Sequence, residues 1–461
     1  MNKLQERMFD EFSRKQIFEQ AQQYGFDHLD TMRQRNVFPS EEAIKNLEHF
    51  MEPLPPSTAT ATEVIGMLQQ YGAPATLPMT GGRYFGFVNG GVVPAAMAAK
   101  TLATYWDQNA AMYALSPLAS KLESVAEQWL QQLLGLPQQT VAGYVSGTST
   151  ANLCALASAR WRILKNLGWD INEQGLNGAP KLRIVAGKEA HSTVIKAIAL
   201  LGLGKGNIEW AETDEQGRII PEKLPVIDQT TILILQAGNV NSGSFDPFSA
   251  IMEKVNNTGA WVHIDGAFGL WAAAAKELQH LTMGTERAHS WAVDGHKTLN
   301  TPYDCGIVLC SDKEAITSAL HMSGSYIIKS ETERDGMYYT PEMSRRARII
   351  ELWATIKYLG KAGIDEMITT LHRRAVQFAA EIKNINGFMV LNDVVFNQVV
   401  VCCATDEETE RVIKSVQEQR TCWAGGAYWQ NRRIIRVSVC SWATTEEDIS
   451  LSVESFKKAL Q

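Results

Sequence analysis

Four polar clusters lie just beyond apolar runs of this 461-residue chain, and each holds residue types able to do chemistry. In YVSGTSTANL, Ser146, Gly147, Thr148, Ser149 and Thr150 open a helix-forming stretch. Free backbone N–H groups, hydroxyls and the positive end of the helix dipole together bind phosphate at such a place. His191 follows a second apolar run, in IVAGKEAHSTVIKA. Asp265 closes a third, in AWVHIDGAFG, where a buried carboxylate is costly unless it faces a cation. In VDGHKTLN, His296 and Lys297 add an imidazole and an amine where a turn needs only Asp294 and Gly295. Read singly, each cluster has an ordinary explanation as an N-cap, a turn or a solvated lysine.

Read together, they match one cofactor. Pyridoxal 5'-phosphate presents a phosphate, a planar ring, a pyridine nitrogen that works as an electron sink only when protonated, and an aldehyde that forms a Schiff base with lysine. Asp265 would hold the ring nitrogen protonated, His191 would stack on the ring face, the Ser146–Thr150 turn would bind phosphate and Lys297 would carry the aldehyde. Other chemistries lack such support. No GxxxxGK[ST] occurs, and GLGKG at Gly202–Gly206 lacks the GxGxxG spacing and reads as a turn. Seven cysteines include no CxxC pair, so neither a metal site nor a disulfide framework is expected.

Side chains so placed need strands that end along one edge. From Val141 to Cys310 short apolar runs (LRIVAG, TILILQAG, AWVHIDG, CGIVLCS) alternate with helical stretches. That pattern predicts an α/β fold with a mostly parallel central sheet and helices on both faces, whose ligands gather at the carboxyl ends of the strands. Beyond the helical segment SRRARIIELWATIKYLGKAG, the strands NQVVVCCA and RRIIRVSVCS flank a helix and predict a smaller α+β C-terminal domain. Helical spacing of Leu4, Met8 and Phe12 before the Pro-rich EPLPPSTAT predicts an N-terminal arm. The expected division is 1–85, 86–343 and 344–461. A composition of 45% hydrophobic and 20% charged residues is that of a globular protein, and a net charge of −7 argues against a nucleic-acid surface. Neither a signal peptide nor a membrane span is read, so a cytoplasmic location is expected.

The motifs RYFGFVNGG, WDQNAAMYALSPLASKLE, YVSGTSTANL, EAHSTVIKA, HIDGAFG, DGHKTLNTPYDCG and SRRARIIELWATIKYLG are similar to those of the pyridoxal-phosphate-dependent group II amino acid decarboxylases. These have the aspartate aminotransferase fold, type I of the enzymes using this cofactor, and include the aromatic amino acid, histidine and glutamate decarboxylases. The resemblance implies that Lys297 is the Schiff-base lysine, that Asp265 pairs with the pyridinium, and that His296 and Thr148, Ser149 and Thr150 reach the phosphate. It also implies that Ala267 lies under the ring opposite His191. Asn239 stands where many relatives have a threonine, which implies a contact with the ring hydroxyl. Phosphate contact by Asp294 is not expected, since two anions would repel.

The implied reaction is decarboxylation of an L-amino acid to an amine and carbon dioxide. The substrate amine displaces Lys297 to give an external aldimine, and the ring accepts the electrons of the breaking bond in a quinonoid intermediate. An aldehyde-forming, lyase or aminotransferase variant is the alternative. Arg436, in RIIRVSVCS, can grip the substrate carboxylate bidentately. Tyr84, Phe85, Phe87 and Trp106 are candidates for the substrate pocket, and Arg83 leaves the substrate's side chain open. A mobile loop at about Ser323–Met343 is implied, with a tyrosine that protonates Cα; Tyr338 and Tyr339 are candidates and Tyr326 a third. A homodimer with the active site between subunits, wrapped by the arm, completes the expectation.

Overall fold

In the computed structural model, which describes residues 2–322, 330 and 332–461, the central layer is a sheet of seven strands. They are β1 (Val141–Val145), β2 (Arg183–Gly187), β3 (Ile208–Ala211), β4 (Thr231–Gln236), β5 (Trp261–Asp265), β6 (Ser290–Asp294) and β7 (Gly306–Cys310), in the order β1-β7-β6-β5-β4-β2-β3. Pairing is parallel from β6 through β5, β4 and β2 to β3, and β7 runs antiparallel between β1 and β6. The reversal follows from the link after β6. Residues 295–305 contain no helix, and a parallel return would need a crossover.

Burial on both faces explains the unbroken apolar runs. All six residues of β4 are buried. Ile232 and Ile234 pack on one side with the helix Thr148–Asn166, whereas Leu233 and Leu235 pack on the other with Phe248 and Trp271. In the register, Gln236 pairs with Asp265 and Asp265 with Ala292. Asp265 and Asp294 therefore emerge at the same, carboxyl, edge of the sheet.

A second sheet is antiparallel: β8 (Met389–Val390), β9 (Gln398–Cys402), β10 (Gly425–Trp429) and β11 (Arg432–Ser438), in the order β10-β11-β9-β8. β10 was not among the expected strands. It is held by a tight hairpin whose two linking residues, Gln430 and Asn431, both take positive φ, the geometry that matches strand twist. The long helix Ile349–Lys383 joins the two halves and bends at Gly360 (φ 59°, ψ −178°). Its residues up to Ile368 pack in the large core, and those from Leu371 onward pack against β9 and β11. At the other end, the helices Lys3–Arg14 and Gln16–Thr31 bury no residue. Among the described residues, no helix is long and apolar enough to cross a membrane.

Candidate active site

A cavity of about 290 Å³ opens at the carboxyl ends of β1, β4, β5 and β6. Lys297 enters it from the turn after β6. That turn is set by Asn300, which takes positive φ. Its amide donates to the carbonyls of Lys297 and Thr298 and to that of Cys440, while its oxygen accepts from Gly91 and Trp442. One buried asparagine thus ties the lysine turn to both flanking segments.

Lys297 Nζ lies 3.3 Å from Asp294 Oδ2, and His296 Nε2 lies 3.5 Å from the same oxygen. The other oxygen of Asp294 accepts the backbone N–H of Thr148 at 2.7 Å. Asp294 therefore caps the helix Thr148–Asn166, a role that chain spacing could not reveal. His296 Nδ1 accepts from Cys305 N at 3.0 Å, and burial lowers the pKa of its ring, which favours the neutral form with its proton on Nε2. The hydroxyl of Thr148 is buried and has no partner among the described residues, and Ser149 lines the cavity beside it. Thr150 instead bonds Ser146 at 3.1 Å.

Asp265, almost fully buried, accepts from Asn152 Nδ2 and from Ala267 N, both at 3.2 Å. Burial raises its pKa, and the neighbouring His191 and Lys297 oppose that rise. His191 caps the helix Ser192–Leu200, and its Nδ1 accepts the backbone N–H of Thr193. Burial pushes its pKa down as well. Arg436, on β11, reaches the same cavity from the second sheet and also lines an adjoining groove of about 460 Å³ with Glu189, Asn241 and Tyr428. Its Nε is buried without a hydrogen-bond partner, it has no ion pair among the described residues, and burial lowers its pKa.

A family model described as the pyridoxal-dependent decarboxylase conserved domain matches residues 80–403. The chain belongs to this family. The acidic amino acid decarboxylase of Mus musculus is 28% identical over 330 residues, 69% of this chain and 59% of that protein. This chain thus spans about three fifths of that relative's length. The aromatic-L-amino-acid decarboxylase of Bacillus atrophaeus is 26% identical over 366 residues, 77% of this chain and 74% of that protein. In fold, the chain resembles the crystal structure of Oryza sativa TDC with PLP and tryptamine, with a TM-score of 0.89, 22% identity and 98% of each chain covered. It is equally similar to mouse CSAD, with a TM-score of 0.89 and 19% identity over 98% of this chain and 99% of that one. The fold is type I of the pyridoxal-phosphate enzymes, and pyridoxal 5'-phosphate is the family's cofactor.

The cavity has the donors such a cofactor requires. An unpaired buried hydroxyl at a helix N-terminus suits a phosphate oxygen, and an amine and a buried carboxylate line the same space. Lys297, His296, Asp265, Ala267, His191, Thr148, Ser149 and Arg436 all line it. Other expected residues stand elsewhere. Asn239 donates its amide N–H to Glu189 (3.0 Å) and its oxygen accepts from the backbone N–H groups of Asn241 and Ser242, so its side chain is committed outside the cavity. Tyr84 stacks on Trp423 at 5.0 Å, Phe85 is core against Phe378, and Trp106 is half exposed at a helix end. Of the four aromatic candidates, Phe87 lines the cavity, and Phe268 joins it there. Arg83 donates to the carbonyls of Arg33 and Arg35 and lies 3.6 Å from Asp448, away from the cavity. Tyr339 is buried under the Arg334 guanidinium, 3.8 Å from the ring centre, and Tyr338 is half buried near His321; neither lines the cavity. Tyr326 lies outside the described residues.

Proposed function

We propose that this chain decarboxylates an L-amino acid to the corresponding amine and carbon dioxide, with pyridoxal 5'-phosphate carried on Lys297. One observation carries the reading: a single cavity gathers an amine, a buried carboxylate, an imidazole, a helix N-terminus and an unpaired guanidinium. The cofactor, when bound, supplies an electron sink for the bond that breaks at Cα. The chain's own residues supply placement and charge. A carboxylate whose ionised form is disfavoured by burial gains most from a cation at short range, so Asp265 is matched to a protonated ring nitrogen. His191 covers one ring face, and the small side chain of Ala267 leaves room on the other. Thr148, Ser149 and His296 receive the phosphate, with Thr150 supporting the turn through Ser146. Arg436 binds the substrate carboxylate, which fixes the orientation of the bonds at Cα and thereby which of them breaks.

The same reading includes a cytoplasmic homodimer with its site between subunits. The exposed apolar residues of the first helix support such a contact. Separate apolar cores around the two sheets support a large and a small domain, proposed as 86–343 and 344–461 after an arm of 1–85, while Phe85 packs in the small core and the helix residues up to Ile368 in the large one.

The test is to incubate the loaded protein with a pool of L-amino acids and identify the products by mass spectrometry. The expected product is an amine shorter than its parent by carbon dioxide, which also names the substrate class. Aldehyde or keto acid without amine would move the chain to an aldehyde-forming or aminotransferase reaction. Lys297→Ala is expected to abolish the absorption of the lysine-bound cofactor; a variant that kept it would overturn the assignment.

A further inference from the structure

Behind Asp265 runs a buried chain of polar groups whose donors and acceptors match when Asn152 turns its NH2 toward the carboxylate. Trp261 Nε1–H can only donate, and it does so to Ser290 Oγ at 2.9 Å. Ser290 then gives its own proton to His263 Nδ1 at 3.0 Å. A neutral His263 is left with its proton on Nε2, which lies 2.9 Å from Asn152 Oδ1. The Asn152 oxygen is thereby fixed as the acceptor, and its NH2 faces the site. That group donates to Asp265 Oδ2 at 3.2 Å and, more weakly, to Thr193 Oγ1 at 3.4 Å. Thr193, having accepted, donates its hydroxyl proton to His191 Nδ1 at 2.8 Å. This leaves the proton of a neutral His191 on Nε2.

Asn152, His263 and Ser290 are fully buried, and burial pushes the His263 pKa down to about 3, so the chain is neutral up to Asp265. None of the three lines the cavity. We propose that Asn152 is a positioning residue whose amide holds Asp265 against the cofactor ring nitrogen and, through Thr193, holds His191 over the ring face, with His263 and Ser290 fixing the amide's orientation. The proposal rests on the roles proposed above for Asp265 and His191. Without Asn152, Asp265 keeps, among the described residues, only the Ala267 N–H, on its other oxygen, and His263 has an unmet buried donor.

Asn152→Leu keeps the volume and removes every hydrogen bond of this node, and Thr193→Val removes only the His191 branch at a less buried position. Three readouts separate the outcomes: borohydride trapping with peptide mapping at Lys297, the dissociation constant of pyridoxal phosphate from the apoprotein, and kcat against KM. In wild type, trapping at Lys297 tests the parent reading alone, and trapping elsewhere would overturn both. With Lys297 trapped, Asn152→Leu is expected to weaken cofactor binding and lower kcat, each by roughly 10- to 100-fold, with an altered visible absorption band and little change in KM. Thr193→Val is expected to lower kcat by about 3- to 10-fold with cofactor affinity nearly kept. An Asn152→Leu protein with wild-type affinity, spectrum and kcat would overturn the proposal. Should that variant fail to fold, an unchanged kcat in Thr193→Val would do so.

Discussion

Arg436 shows what a single residue contributes when its environment leaves it unpaired. A guanidinium partly withdrawn from water, as that of Arg436 is, normally finds a carboxylate, because leaving such a charge unpaired is costly. Arg436 has none among the described residues, and its Nε has no acceptor. A substrate carboxylate would relieve that cost. Arg436→Met, which keeps much of the packing, is expected to raise KM for the amino acid by roughly 10- to 100-fold while cofactor affinity stays unchanged, as steady-state kinetics and apoprotein titration would read. An unchanged KM would remove Arg436 from substrate binding. Lys297, Asp265, His191 and Arg436, which line one cavity, stood out in the sequence only as a set, since each alone has an ordinary explanation. The parts played by Asn152 and Asp294 were not legible. Each sits within a run that reads as ordinary helix or strand, and its partners, His263 and Thr148, come from distant segments. The aromatic pocket was legible only in part: of Tyr84, Phe85, Phe87 and Trp106, Phe87 lines the cavity and the others do not. Tyr84 and Phe85 precede the turn at Phe87 and Val88, both with positive φ, and one residue of chain direction decides which aromatic faces the cavity.

At the scale of elements, the parallel strands were legible because burial on both faces writes unbroken Val, Ile and Leu runs into the chain. β10 was hidden, since GGAYW carries two glycines and alternates exposed with partly buried residues until Trp429. The long helix Ile349–Lys383 hides a bend in the same way, as LGKAG continues an amphipathic pattern through it. At Gly360 the backbone has φ 59° and ψ −178°, a region open essentially to glycine alone. A Cβ there would meet nothing within 4 Å, so any penalty comes from the backbone and not from crowding. Gly360→Ala is expected to lower stability by about 1–3 kcal/mol, read from the urea midpoint at unchanged slope. A neutral result would mean that the two helical halves can straighten. Because the halves pack in different cores, that outcome would also separate the orientation of the sheets from the bend.

For the whole molecule, the question is what covers the N-terminal helix. Lys3–Arg14 buries no residue, yet Leu4, Met8 and Phe12 recur at four-residue spacing and Phe9 widens the stripe. Phe12 is 71% exposed and Phe9 61%. A helix this amphipathic, whose apolar face stays largely exposed apart from an edge-on contact of Phe12 with Phe18 at 5.7 Å, is stable only if that face is buried elsewhere. In the proposed homodimer the partner subunit covers it. Fully burying side chains of this size stabilises by about 1.5–3 kcal/mol each, enough for a few of them to decide between monomer and dimer at micromolar concentration. A charge placed in the stripe would reverse that gain at the interface while leaving the isolated subunit's two cores untouched. Met8→Glu with Phe12→Glu is therefore expected to sediment as a folded monomer with wild-type circular dichroism. Its decarboxylation should fall with the dimer fraction and recover as protein concentration rises, because the site is proposed to lie between subunits. A double variant that stayed dimeric would show that another surface holds the subunits. One that became monomeric yet kept full activity at every concentration would show that each subunit completes its own site.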